Sequence, residues 1–283
     1  MIRKSEFNGN SNFIKDAKIV AVDLEVSPSL MYAYGYYDPK VIKVVEQPKL
    51  LSVAWKWLGE SKTYCETLAD FNSVGKNNDK PLIERLWQLM NDCHIFLAYN
   101  GDSFDYKVAN TFFVQNGMNP PSPCKRIDPI KYARRYFKFN CNKLDYVGKL
   151  LLGEGKTEAT YGDCWEDLMF GDKKARKKAD KLMKIYNKND VDILEKIYLK
   201  LRPWADNHPN LALMSGHDSV CPRCGRNEGF RLSKYRYTGA QINAVQYQCK
   251  SCGSYITRRL DKEEREALDE EGKLRPIFRN LPA

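Results

Sequence analysis

The chain has 283 residues, 43% of them apolar and 12% aromatic, which is ample for one full core and a second small domain. Its formal charge of +10 fits a polyanionic partner such as nucleic acid as well as it fits plain solubility. No apolar run approaches the roughly 20 residues of a membrane span, which argues against a membrane protein.

Residues 1–16 lack the apolar core of a signal peptide and read as a surface arm. Lys18 to Glu25 reads as a strand, apolar on both faces until two carboxylates appear at its end. Val26 to Lys49 reads as a loop, punctuated by Pro28, Gly35, Pro39 and Pro48 and carrying Tyr32, Tyr34, Tyr36 and Tyr37. Leu50–Trp57 and Lys62–Leu68 predict an antiparallel hairpin turned by Gly59-Glu60-Ser61. Pro81–Asp92 is helical, with Leu82, Leu86, Leu89 and Met90 on one stripe.

His94–Tyr99 is a further strand, in which His94 reads as a packing residue. Ser103 can cap a helix running to Gln115 and ended by Gly117. A short strand follows at Lys125–Asp128, then a basic, aromatic helix at Pro129–Phe139 and another helix at Leu144–Leu152 closed by Gly153. Asp172–Leu201 is helical, with a break or bend expected near Asn187-Lys188-Asn189, and Arg202-Pro203-Trp204 ends it. One hairpin followed by alternating strands and helices predicts a mixed α/β sheet with helices on its faces. The domains expected are 1–210, a small cysteine-bearing module over 218–258, and an acidic-basic tail over 259–283.

Residues two apart on a strand point to the same side, so Asp23 and Glu25 project together. Two such acids at the end of a buried strand repel each other, and a divalent metal is the common counter-charge. Asp105 stands at a helix start just after a strand. Asp190 lies on the last long helix one turn beyond Tyr186, and positions i and i+4 share a face. Asp192 points elsewhere and is not chosen. Each acid alone has a bland reading, Asp105 as a helix-start charge and Asp190 as a solvated one. Together, four acids on separate elements could hold two Mg²⁺ or Mn²⁺ ions, which clamp the attacking and leaving oxygens of a phosphoryl displacement. Tyr186 would orient the attacking water through its phenol.

Asp23-x-Glu25 at a strand end, Asn100-x-x-x-Phe104-Asp105 after a later strand and Tyr186-x-x-x-Asp190 on a late helix resemble the three motifs of the DEDD superfamily of 3′–5′ exonucleases, in its DEDDy branch. Trp55-Lys56-Trp57-Leu58-Gly59, Tyr99-Asn100-Gly101-Asp102, Asn142 to Val147 and Arg202-Pro203-Trp204, followed by a cysteine module, are similar to stand-alone exonucleases encoded by bacteriophages. The resemblance implies a ribonuclease H-like fold, two divalent metals held by Asp23, Glu25, Asp105 and Asp190, and release of nucleoside 5′-monophosphates from a 3′ end. It puts Asn100 in a shaping or substrate-contact role. Tyr34 and Tyr36, in the loop that leaves the first strand, are candidates for stacking terminal bases, with packing inside the loop as the other reading.

Cys221-Pro-Arg-Cys224-Gly and Cys249-Lys-Ser-Cys252-Gly are two matched knuckles that present four thiolates to one structural Zn²⁺, a four-cysteine ribbon. His217 could substitute as a ligand. The other five of the nine cysteines are scattered, which with the absence of an export signal fits a reducing cytoplasm. Arginines, lysines and tyrosines interleave in the module, favouring a grip on nucleic acid over protein docking. Two further basic sets, Lys131 to Lys138 and Lys173 to Lys184, either track a backbone or are solvated faces. The function expected is a metal-dependent 3′–5′ exonuclease on single-stranded DNA, with the same chemistry on RNA as an alternative. The rivals are a non-catalytic nucleic-acid-binding protein and a structure-specific endonuclease.

Overall fold

The computed structural model describes residues 17–35, 37, 40–73, 76–155, 164–216, 220–238 and 241–270. These form two compact units, one from Lys18 to Ala205 and one holding the described residues from Asp206 onward.

The first unit is built on a five-stranded sheet. In chain order its elements are β1 (Ile19–Val26), β2 (Leu30–Tyr34), β3 (Lys40–Glu46), β4 (Leu50–Trp57), β5 (Tyr64–Thr67), α1 (Leu68–Phe71), α2 (Lys80–Asp92), β6 (Ile95–Leu97), α3 (Asp105–Gln115), β7 (Lys125–Ile127), α4 (Pro129–Tyr136), α5 (Leu144–Leu152), α6 (Cys164–Phe170) and α7 (Lys173–Leu201). The sheet order is β5-β4-β1-β6-β7. β4 pairs antiparallel with both β1 and β5, whereas β6 pairs parallel with β1 and β7. β1 is thus the central strand, and its apolar start is buried for that reason.

Val20, Val22 and Leu24 join Leu82, Leu86, Met90 and Phe112 in one core cluster. By strand alternation Asp23 and Glu25 turn to the opposite face. There α7 packs along β1, β4 and β5. Lys56 of β4 anchors that helix through Glu195 at 2.7 Å and Asp192 at 3.0 Å, so the Asp192 carboxylate is engaged in holding helix to sheet.

The structure corrects several expectations. Val26–Lys49 is not a loop: β2 and β3 form an antiparallel ribbon. Its Val41, Ile42, Val44 and Val45 are β-branched residues suited to a pleated strand, and the glycine and prolines bound the strands without abolishing them. Ser103 does not cap α3. Phe104 holds the N-cap position with no side-chain bond, and Asp105 is the first helical residue. α4 stops at Tyr136 because Phe137 is extended, its ring stacked on Phe139 at 5.2 Å and set edge-on to Trp204 at 5.5 Å. α7 runs without interruption past Asn187-Lys188-Asn189, since the Asn187 side chain bonds across to the sheet and does not compete for its own backbone. α6 was not expected from the sequence.

Other elements match. α2 carries its proline in the first turn and buries Leu82, Leu86, Leu89 and Met90. Gly153 closes α5 at φ 71°, a left-handed conformation that glycine adopts without strain. His94 is a structural residue whose Nδ1 accepts from Lys18 N at 3.0 Å.

The second unit contains α8 (Leu211–Ser215), an antiparallel sheet of β8 (Phe230–Thr238), β9 (Gln241–Cys249) and β10 (Tyr255–Arg259) in the order β10-β9-β8, and α9 (Lys262–Glu270). Val245, Leu260 and, less deeply, Tyr235, Tyr247 and Leu268 form its small core. No helix among the described residues is long and apolar enough to cross a membrane.

Candidate active site

Asp23 and Glu25 stand on β1, and Asp105 reaches the strand's backbone between them. Asp105, only 3% exposed, accepts a hydrogen bond from Leu24 N at 3.2 Å. That bond draws the first turn of α3 against the strand between Asp23 and Glu25. Burial pushes the Asp105 carboxyl up to about 7, and the negative charges of Glu25 and Asp128 push the same way, against the backbone N–H bonds that lower it. A buried acid with other carboxylates near it carries the kind of charge that a hard divalent cation relieves.

α7 supplies the rest. Asn187 is fully buried; its amide nitrogen donates to Asp23 Oδ2, and its Oδ1 accepts from Ser52 Oγ at 2.9 Å. Asp190 follows one turn later on the same side of the helix and is 1% exposed. Tyr186, half-buried, precedes Asp190 by one turn. The bond from Asn187 to Asp23 fixes this part of α7 over the β1 acids.

Asn100 lies in the turn between β6 and α3 at φ 61°, the left-handed region that side-chain-bearing residues rarely enter. The turn is tight: a Cβ on Gly101 would come within 2.5 Å of Ala98 Cβ. Asp128 holds it, accepting from Asn100 N at 2.8 Å, from Asp102 N at 3.4 Å and from Ile130 N at the start of α4 at 3.2 Å. One carboxylate thereby ties the strand-end turn that launches Asp105 to the helix after β7.

Asn187 and Asp128 are the residues that sequence reasoning missed. Asp128 carried a usable signal, an aspartate directly before a helix-starting proline. Asn187 carried none, because an asparagine inside a helix reads only as a weak helix former. Tyr34 stands on the exposed β2 strand, away from any described core. Tyr36 lies outside the described residues, as does His217.

In the second unit the four cysteines form a compact group, their sulfur atoms all within 4.8 Å of one another. Cys221 and Cys252 stand 3.8 Å apart, and Cys224 and Cys249 stand 3.9 Å apart. A tetrahedron with Zn–S bonds of about 2.3 Å has edges of about 3.8 Å, so the donor set fits Zn²⁺. Each knuckle turns on a glycine in the left-handed region, Gly225 at φ 70° and Gly253 at φ 77°. Burial pushes the Cys249 thiol up to about 11, a proton that a bound cation would displace. Phe230 and Ile256 cover the group. With all four positions filled by sulfur, such a site is closed and structural.

Several of the module's cations are already engaged. Arg258 forms a bidentate pair with Glu264 at 2.6 and 2.8 Å, and Arg223 donates to the carbonyls of Asp206 and His208. Tyr235 and Tyr247 pack into the module's core, so they are not the interleaved stacking surface expected from the sequence. Of the other basic sets, Lys131 pairs with Asp102, and Lys184 lies between Asp70 and Asp180.

Comparison with known families matches residues 50–202 to a family described as the RNase_H superfamily. The matched span takes in Asn100, Asp105, Tyr186 and Asp190 and begins after β1, which carries Asp23 and Glu25. A search of curated proteins returned no match.

Proposed function

The chain belongs to the RNase H superfamily, and from that premise we propose that it is a metal-dependent 3′–5′ exonuclease acting on single-stranded DNA or RNA. Membership supports a nuclease-type function and a nucleic-acid substrate. What supports the finer reading is the hydrogen bond from Leu24 N, between Asp23 and Glu25, to Asp105, together with the bond from Asn187 to Asp23 one turn before Asp190.

In this reading Asp23, Glu25, Asp105 and Asp190 would hold two Mg²⁺ or Mn²⁺ ions. Divalent cations so bound supply activation of the attacking water and neutralisation of the charge on the leaving oxygen. The protein residues act around that chemistry. Asn187 fixes the rotamer of Asp23, and Leu24 N fixes that of Asp105. Tyr186, on the helix face of Asp190, orients the attacking water through its phenol, which can donate or accept a hydrogen bond. Asn100 touches the substrate from the turn before α3. The closed cysteine site offers no open position and takes no part in the chemistry.

The test is a gel of 5′-labelled single-stranded DNA and RNA with Mg²⁺ or Mn²⁺, run beside the Asp105→Ala protein and with a circular strand as a further substrate. The reading expects a metal-dependent ladder shortening from the 3′ end, absent in the variant, with the circle intact. Cleavage of the circle would make the protein an endonuclease. Binding without cleavage of any substrate would make it a binding protein.

A further inference from the structure

The β2–β3 ribbon has two unlike faces. Paired residues of an antiparallel ladder share a face. Tyr32 pairs with Lys43, Tyr34 with Lys40, and Leu30 with Glu46, and register shifts between Leu30 and Met31 and between Tyr32 and Ala33 bring Lys40 and Lys43 opposite the two tyrosines, so the outer part of one face sets aromatic rings against ammonium groups. Met31 pairs with Val44 and Ala33 with Val41, so the other face is aliphatic and carries no charge. The residues of both strands are exposed except Glu46, with Tyr32 at 64% and Tyr34 at 73%. Neither Lys40 nor Lys43 has an ion-pair partner among the described residues.

The ribbon is rooted beside the candidate active site. Ser27 N donates to Lys49 O at 2.9 Å, and Lys49 N donates to Ser27 Oγ at 2.9 Å, which closes the ribbon's base. That base stands two residues past Glu25, itself paired with Ser52 of β4. At a strand's rise per residue, Tyr32 and Tyr34 lie within about 20–30 Å of Glu25. An isolated two-stranded ribbon is marginally stable in water, and nothing in its own packing accounts for two exposed tyrosines set opposite two lysines. Rings that stack on bases, interleaved with cations spaced for phosphates, are the chemistry of single-stranded nucleic-acid binding.

We propose that the β2–β3 ribbon is a substrate arm whose Tyr32, Tyr34, Lys40 and Lys43 face takes up the single strand several nucleotides upstream of the 3′ end being cut. The tyrosines stack on bases and the lysines contact phosphates. This rests on the nuclease reading above. It makes the arm matter for long substrates and not for minimal ones.

The test uses the full chain. Anisotropy of 5′-fluorescein dT15 is measured on the Asp105→Ala protein alone and combined with Y32A/Y34A, Y32F/Y34F, K40Q/K43Q or the opposite-face pair M31S/V44S. Y32A/Y34A is expected to weaken binding by about tenfold or more, Y32F/Y34F to retain it, and M31S/V44S to leave it unchanged. K40Q/K43Q is expected to lower the slope of log affinity against log salt by about 1.4, two phosphates at about 0.7 each. In parallel, hydrolysis of thymidine 5′-monophosphate p-nitrophenyl ester, with Asp105 intact, should be equal in all ribbon variants. An affinity for dT15 within twofold of the parent in Y32A/Y34A overturns the proposal. So does a loss in M31S/V44S as large as that in Y32A/Y34A together with a change in sedimentation, which would make the ribbon a protein interface. Ribbon-dependent binding with no hydrolysis of any substrate would keep the arm and overturn the nuclease reading alone.

Discussion

Asn187 and Asp23 are joined by a hydrogen bond from the asparagine amide to the carboxylate, and the other end of the same amide accepts from Ser52 Oγ at 2.9 Å. The bond links α7 to β1 one helical turn before Asp190. Partners that orient metal-binding carboxylates commonly cost 10–100-fold when removed. Asn187→Leu is therefore expected to lower kcat/KM by about 10–100-fold and to raise the Mn²⁺ concentration needed for half activity. It should also destabilise the fold by about 1–3 kcal/mol, because Ser52 loses its partner. A metal titration of activity beside a denaturant melt separates the two effects. An unchanged metal requirement would remove Asn187 from the positioning role.

In the proposed reading Asp105 sets stability against function. Its carboxyl, raised from 3.8 to about 7 chiefly by burial, binds a proton more tightly in the folded chain than in the unfolded one. Between those values the folded state holds the extra proton, so stability falls as pH rises through the window and stays low above it. Asp105→Asn keeps an acceptor for Leu24 N and carries no charge. In chelator it should be more stable than the parent by a margin that grows from about pH 4 to about pH 7, reaching about 2–4 kcal/mol. Added Mn²⁺ should stabilise the parent and not the variant, and the variant should be inactive. Denaturant melts at pH 4.5, 6 and 8, with and without Mn²⁺, check each part. A constant difference across pH would refute the argument.

Much of this framework was legible in the sequence, and the reasons differ by element. β1 was readable because four buried apolar residues end in two alternating acids, a pattern that only a central strand tolerates. α5 was readable from its left-handed Gly153. The β2–β3 ribbon was not, since its prolines and glycine outweighed a β-branched run with no buried face to give it alternation. Asn187 was unreadable for a deeper reason. Its value lies in a contact across more than a hundred residues of chain, and local propensity registers only the cost of asparagine in a helix.

Asn100 poses a question that two substitutions answer. At φ 61° the backbone itself favours glycine, so Asn100→Gly should be neutral in stability or slightly stabilising, and Asn100→Ala should cost about 1 kcal/mol. If the side chain touches substrate, as proposed, both variants lose activity to a similar extent, chiefly in KM. A glycine variant with full activity would reduce Asn100 to a conformational role. Asp128→Ala leaves the N–H groups of Asn100 and Ile130 without their acceptor and is expected to cost about 2–4 kcal/mol.

The cysteine group predicts a metal whose loss is structural. Four sulfurs at tetrahedral spacing with Phe230 and Ile256 over them would make the module's small sheet depend on a bound ion, because β8 and β9 share only a minor apolar core. One zinc per chain is expected by elemental analysis, and Cys249→Ser or a strong zinc chelator should remove it. Limited proteolysis should then cut between β8 and β10, while hydrolysis of the minimal p-nitrophenyl ester continues, since a closed site admits no substrate. Protection of β8–β10 in zinc-free protein would show that the module folds without metal. Loss of ester hydrolysis along with zinc would show that the two units are coupled through more than a shared chain.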